Sequence, residues 1–354
     1  MIDVAIIGAG QAGLATAYCL RQIGTNPVLI EAAPEIGTSW LERYDSLKLF
    51  TPSQYSNLPG MPFPARADHY PTKDEVADYL RAYAARFDLN VRTGLSVSRL
   101  SRGADSFLLD AGSEQISTKA VIVATGALQK PSIPAFGTQL HPSVNQWHSS
   151  EYRNPAMIPD GDVLIVGGGN SGAQIADELA KAGRAVSVSI GEMPRHLPQR
   201  FLGKDIFWWL TKSGLISTKP AKIVGSKAST PIPTIGTDLK RLSRTGAIRI
   251  VPRVVGVDAA EVVFADQSRL VPTSIIWATG FVNDFSWIEI EGTFAAYVPL
   301  YERGVSPVKG LFFIGQPFLY SKGSAFLGFV EDDAWHVANA AFQSVESARV
   351  SQAV

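Results

Sequence analysis

VAIIGAGQAGLATAYCL, residues 4–20, decides the fold. Val4–Ile7 is a short apolar run suited to a buried strand, and the chain then turns through Gly8, Gly10 and Gly13. An Ala-rich helix follows to about Ile23, closed by Gly24, and a second strand, Val28–Ile30, ends in Glu31. A G-x-G-x-x-G turn carries weight only between a strand and a helix, with an acid about 20 residues further on, and all three are present. Glycine permits the tight turn and lets backbone approach a pyrophosphate at the helix N-terminus. The acid accepts hydrogen bonds from ribose hydroxyls.

The same grammar returns in DVLIVGGGNSGAQIADELAKAG, residues 162–183, with Gly167, Gly169 and Gly172 at the turn and Gly183 at the helix end. A strand from Ala185 to Ile190 then leads through Gly191 to Glu192, which stands where Glu31 stands in the first unit. Two such units imply two nucleotides brought together, commonly a flavin and a nicotinamide, and that pairing is redox chemistry. VIVATGALQKPSIP (121–134) and IIWATGFVNDFSWI (275–288) share a strand followed by Ala-Thr-Gly. As a pair they predict crossovers that bracket an inserted domain, with the first domain resuming near Asn283 and closing on GLFFIGQPF (310–318). The expected fold is α/β, with two Rossmann-like dinucleotide-binding domains. The first covers 1–155 and 282–354, and the second, 156–281, is inserted in it.

Bulk composition narrows the function. The chain has 354 residues, 46% hydrophobic and 18% charged, with 32 basic and 32 acidic side chains. That balance offers no field for nucleic acid. A single cysteine, Cys19, allows neither an internal disulfide nor a Cys-x-x-Cys centre, and fits a reducing cytoplasm. That excludes a dithiol disulfide reductase of similar architecture. The opening residues show no basic n-region, and no apolar run approaches the ~20 residues needed to span a bilayer, so neither a signal peptide nor membrane insertion is expected. No Ser-His-Asp order, His-x-x-Glu-His or Cys/His cluster of metal spacing is present.

The chain resembles the flavin-containing monooxygenases, in particular short bacterial single-chain forms of the class B flavoprotein group. The resemblance spans nearly the whole chain. It rests on GAGQAG with Glu31, GTSW (37–40), RYDSLKLFTPSQYSNLPGMPFP (43–64), HYPTKDEVADYL (69–80), ATG-x4-P-x2-P (124–134), GGGNSG, ATGF and GLFFIGQP. It implies FAD at Gly8, Gly10, Gly13 and Glu31, with Thr38, Ser39, Trp40, Val97, Ala124, Thr125, Gly126, Gly315 and Gln316. It implies NADH or NADPH at Gly167, Gly169, Asn170, Ser171, Gly172, Gly191, Glu192, Arg195, Ala278, Thr279 and Gly280. Phe50 and Asn170 are the implied residues of the chemical step. The implied reaction passes hydride from NAD(P)H to FAD and adds dioxygen to give a C4a-(hydro)peroxide. That species oxygenates a small-molecule thioether or amine, or inserts oxygen into a ketone in Baeyer–Villiger fashion. A homodimer is a further implication.

Three departures shape the expectations. Of the family's Phe-x-Gly-x3-His-x3-Tyr/Phe signature only His148 and Tyr152 remain, with Pro142 and Val144 at the Phe and Gly positions. His148 reads equally as a packed linker residue. Phe50 occupies the position of a flavin-contacting Asn, which removes a polar donor and adds a ring. Where NADPH-specific members place an Arg, this chain has Gly191 and then Glu192. A carboxylate there suits free ribose hydroxyls and repels a 2′-phosphate, with Arg195 and Arg200 near enough in sequence to offset it. NADH is therefore expected to be used at least as well as NADPH. FLGKDIFWWLTKSGL (201–215) reads as a buried helix face or as an apolar lid over a substrate channel. The rival readings are an NAD(P)H oxidase releasing peroxide and a flavin-bound redox sensor.

Overall fold

The two glycine turns sit at the ends of strands buried on both faces, and each nucleates its own sheet. The computed structural model describes residues 2–219 and 233–352. β1 (Ile2–Ile7) leads into α1 (Gln11–Gln22) and pairs in parallel with β2 (Val28–Ile30). Gly37, at φ +91°, starts the short α2 (Thr38–Leu41). α3 (Lys73–Arg86) begins with a capping box, Thr72 accepting from Glu75 N while the Glu75 carboxylate accepts from Thr72 N. β3 (Asn90–Arg92) joins β2, and β4 (Val97–Arg102), β5 (Phe107–Ala111) and the first half of β6 (Glu114–Val123) form an antiparallel meander. The second half of β6 runs parallel to β1 on one side and to the strand Leu311–Phe313 on the other.

The central parallel strands bury both faces, as parallel sheets do, while β3 at the edge stays partly exposed. Val4 and Ile6 point toward α1 and the C-terminal helix Glu331–Gln352, packing with Leu14, Leu20, Ala334 and Val337. Ala5 and Ile7 point the other way, toward Leu109, Val121, Phe285 and Phe313. The alternation along one strand therefore feeds two separate cores.

The second sheet is also parallel. β7 (Lys130–Pro131) carries the chain out of the first domain and pairs antiparallel with Phe281–Val282, which brings it back. Next come β8 (Asn145–His148), β9 (Val163–Val166), α4 (Asn170–Lys181) and β10 (Val186–Ser189). The sheet order is Arg249–Val251, β10, β9, Ser274–Trp277, β8. The boundary expected at residue 155 lies beyond the first strand of this sheet. β8 pairs with Ser274–Trp277, Trp147 opposite Ile276, so the second sheet already includes residues 145–148 and the outgoing crossover is at β7. Polar NQWH reads as linker, and only its ladder partner makes it a strand.

The domains are fixed against each other. Tyr44, from the first, is buried among Tyr152, Ile165, Ile175 and Leu179 of the second, and its hydroxyl donates to Gln174 on α4. Beside it Asp45 N donates to Arg153 O (2.8 Å) and Asn154 Nδ2 to Asp45 Oδ2 (2.7 Å).

Candidate active site

The two glycine turns have the same internal geometry. Gly8 is at φ +106°, and a Cβ there would lie 2.6 Å from Ala124 O; Gly167 is at φ +113°, and its Cβ would lie 2.3 Å from Ala278 O. The third glycine of each unit is closed as tightly, a Cβ on Gly13 falling 2.0 Å from Gly8 O and one on Gly172 falling 2.1 Å from Gly167 O. The middle glycines differ. Gly10 and Gly169 cap α1 and α4, and a Cβ on either would meet no protein atom within 4 Å. The outer glycines are thus required by the chain's own packing, and the middle ones face open space at a helix N-terminus. An open cradle of backbone N–H groups there fits a dinucleotide pyrophosphate.

At the first turn Glu31 reaches back, its carboxylate accepting from Ala9 N (2.7 Å) and Ala33 N (3.0 Å). Its main chain bonds Arg92 O and Leu95 N, the latter two residues before Val97 at the start of β4. Ala124, Thr125 and Gly126 continue β6 under Gly8, with Gln129 Nε2 donating to Thr125 Oγ1 (3.0 Å). Gly126 O accepts from Gln129 Nε2 (2.8 Å) and Gln316 Nε2 (2.9 Å), and Gly315 packs so closely on α1 that its Cβ would lie 3.0 Å from Ala12 Cβ. Thr38, Ser39 and Trp40 form α2, whose Thr38 hydroxyl donates to Glu35 O (2.9 Å). Gly8, Glu31 and Ala124–Gly126 lie at the carboxyl ends of the parallel strands β1, β2 and β6, where such sheets bind ligands.

At the second turn Ala278, Thr279 and Gly280 follow the strand under Gly167, and the Thr279 hydroxyl donates to Ser132 O across the crossover. Gly191 and Glu192 lie at the tip of β10, exposed, as are Arg195 and Ser171. Among the described residues Glu192 has no ion pair. The amide of Asn170 is engaged at both ends, Oδ1 accepting from Ile235 N (2.9 Å) and Nδ2 donating to Pro233 O (3.2 Å). Asn170 therefore ties α4 to Pro233–Ile235.

His148 is also structural. Its Nε2–H donates to Gly280 O (2.9 Å), its Nδ1 accepts from Ser150 N (3.2 Å), and Phe281 meets its ring edge-on. Burial pushes its pKa below the usual imidazole value. It fastens the end of β8 to Gly280, where the returning crossover begins.

Phe50 lies where segments of the two domains meet. Its ring stacks on Phe207 (centroids 6.0 Å, interplanar 6°) and meets Phe326 edge-on (5.7 Å, 89°), in a cluster with Tyr55 and Phe329. The 201–215 stretch splits in two. A hairpin pairs Arg200–Phe201 with Lys204–Asp205, and α5 (Ile206–Lys212) buries Ile206 and Phe207 but leaves Trp208 and Trp209 partly exposed. Neither a fully buried face nor a free lid describes it, because one side packs on Phe50 while Phe201 and Leu202 remain 52% and 74% exposed.

Sequence reading missed a latch at this point. Asp205 caps α5, its Oδ1 accepting from Phe207 N (2.8 Å). Its Oδ2 accepts from Tyr70 OH (2.6 Å) and Gln199 Nε2 (2.8 Å), and Gln199 also donates to Phe50 O (2.8 Å). Burial, with the Asp205 carboxylate beside it, pushes the Tyr70 phenol up to about 12. An Asp before an apolar run could have signalled the cap. Nothing in the spacing signals Tyr70.

Residues 5–200 match the pyridine nucleotide-disulphide oxidoreductase family. The chain belongs to that family. Within it the resemblance to flavin monooxygenases is borne out. An uncharacterized CzcO-like oxidoreductase of Geobacillus kaustophilus is 42% identical over 343 residues, covering 96% of this chain and 98% of its own. The indole-3-pyruvate monooxygenase YUCCA1 of Oryza sativa subsp. japonica is 29% identical, covering 81% of this chain and 79% of its own. The solved flavin-containing monooxygenase from Stenotrophomonas maltophilia superposes with a TM-score of 0.81 at 26% identity, covering 97% of this chain and 98% of that one. The protein is an FAD-dependent enzyme of the monooxygenase type, with FAD and NAD(P)H as its cofactors. The disulphide in the family's name has no dithiol here: Cys19 stands alone, and burial pushes its thiol up to about 12. No helix among the described residues is long and apolar enough to cross a membrane.

Proposed function

We propose that the Gly8–Gly13 turn with Glu31 holds FAD, that the Gly167–Gly172 turn with Glu192 holds NAD(P)H, and that the protein oxygenates soft nucleophiles. The domains are 1–129 with 283–354 for the flavin and 130–282 for the nicotinamide. The carrying observation is the duplicated open cradle at Gly10 and Gly169, set in two domains whose crossovers pair at Lys130–Pro131 and Phe281–Val282. Bound FAD supplies hydride acceptance and dioxygen activation. The chain's own groups orient the cofactors and keep water out: Glu31 and Glu192 at the riboses, His148 and Thr279 beside the returning crossover, and the Phe50–Phe207–Phe326 cluster as an apolar wall. One oxygen atom passes to a thioether or amine, the other leaves as water, and NAD(P)H supplies the two electrons. Activated ketones are the second substrate class.

The phenyl ring in place of a polar donor at Phe50 supports a second reading, an NAD(P)H oxidase releasing peroxide. Product analysis decides between them. With an aryl alkyl sulfide, sulfoxide formed per NADH consumed is expected well above zero, with part of the flux leaking to hydrogen peroxide. Peroxide alone, across sulfides, amines and cyclic ketones, establishes the oxidase. Phe50→Asn is expected to change the ratio of sulfoxide to peroxide, and an unchanged ratio and reduction rate place Phe50 outside the chemistry.

Exposed at the tip of β10 and without an ion pair among the described residues, Glu192 supports NADH being used at least as well as NADPH, by up to roughly tenfold, since a decade is ~1.4 kcal/mol. Gly191→Arg with Glu192→Thr should reverse that order in kcat/KM by supplying a phosphate fork and removing the repulsion. A Cβ on Gly191 would lie 3.6 Å from Arg253 Cδ, an ordinary contact, so a side chain can start there without a clash at Cβ. A wild type that strongly prefers NADPH would overturn the assignment of Glu192.

A further inference from the structure

Across from Gly191 and Glu192 stands a cation that no motif marks. β10 and Arg249–Val251 run in register, Ser189 opposite Val251, so the segments that follow them leave the sheet side by side. Ser189 is 2% exposed; its hydroxyl donates to Pro252 O (2.9 Å) and accepts from Val254 N (3.0 Å). That clamp holds the backbone on both sides of Arg253. The Arg253 stem lies against the bare backbone of Gly191, its Cδ 3.6 Å and its Cβ 4.0 Å from where a Gly191 Cβ would be. Arg253 is exposed, and among the described residues its guanidinium joins no ion pair. The loop beyond Glu192 folds back on the glycine turn, where a Cβ on Gly168 would lie 3.6 Å from Pro194 Cδ. The acid at the tip of β10 and the arginine whose stem lies beside Gly191 therefore adjoin one cradle, and neither has an ion pair among the described residues.

We propose that Arg253 receives the 2′-phosphate of NADPH and offsets Glu192, so that it is the residue that keeps NADPH usable at a site whose acid favours NADH. The proposal rests on reading the second turn as the nicotinamide-nucleotide site. A guanidinium presents forked donors that match phosphate oxygens, and its placement is imposed by Ser189, a positioning residue.

The test titrates the FAD-loaded protein with adenosine 2′,5′-bisphosphate and with AMP, which lacks the 2′-phosphate, by calorimetry. Arg253→Gln keeps the stem on Gly191 and removes the charge. It is expected to weaken the bisphosphate roughly tenfold or more, the scale of a charge-assisted hydrogen bond. AMP should stay within about twofold. Arg253→Lys should recover part of the loss, Ser189→Ala should mimic Arg253→Gln with AMP binding intact, and the wild-type bisphosphate advantage should shrink as salt rises. Equal losses for both ligands would show that Arg253 acts on the adenine, and an unchanged bisphosphate affinity would show that it does not reach the ligand; either overturns the proposal. Should the wild type bind neither ligand, the nucleotide-site reading itself fails.

Discussion

Glycines that look alike in sequence carry different obligations. A Cβ on Gly13 collides with Gly8 O, so Gly13→Ala is expected to cost about 1–3 kcal/mol through overpacking. The middle glycine faces open space, so Gly10→Val should leave the apoprotein's melting temperature within about 2–4 °C while abolishing flavin retention. Apoprotein melting and flavin absorbance after gel filtration separate the two; a Gly10→Val protein that stays yellow would remove FAD from this turn. His148 makes a prediction of the opposite kind. Burial holds its pKa below 6.5, so the folded state prefers the neutral ring. As pH falls through 6.5 the unfolded chain takes up the proton first, and this part of the stability, present above that pH, is progressively lost. His148→Gln should flatten the fall in melting temperature between about pH 7.5 and 5.5. Equal slopes in both proteins would mean that the ring is not held neutral.

At the scale of elements, the excursion between β10 and α5 is held to the first domain by a few polar bonds and a set of rings. Asp205 gathers three donors, from Tyr70, Gln199 and Phe207. Tyr70→Phe removes one charge-assisted bond and is expected to destabilise by about 1.5–3 kcal/mol. Its more informative effect is local: Phe201–Trp209 should become more susceptible to proteolysis while flavin binding is unchanged. Unaltered cleavage at this excursion would show that the rings alone hold it.

The whole molecule works only if the two cradles keep their relation. That relation is fixed by the pairing of β7 with Phe281–Val282 and by Tyr44, buried in the core of the second domain. Tyr44→Ala opens a cavity and unpairs Gln174, with an expected cost of about 3 kcal/mol. Stopped-flow measurement should find slower flavin reduction at saturating NADH while AMP affinity is retained, because the site survives and its placement does not. Equal reduction rates would show that the crossovers alone set the geometry.

What the sequence determined by itself was whatever depends on local spacing. Strand, glycine turn, helix and acid fall within one short window each, so both units, their acids and the paired Ala-Thr-Gly strand ends were legible from residues 4–31, 121–134, 162–192 and 275–288. The tertiary structure decided everything that joins distant segments. β8 became a strand because Ser274–Trp277 lies beside it, and Asn170 became an anchor because Ile235 folds onto it. The tip of β10 acquired a neighbouring cation because Ser189 fixes the backbone around Arg253, far along the chain. Periodicity reports which face of an element is apolar. It cannot report which remote polar group that element meets, since a hydrogen bond between non-neighbours leaves no spacing in the chain to read.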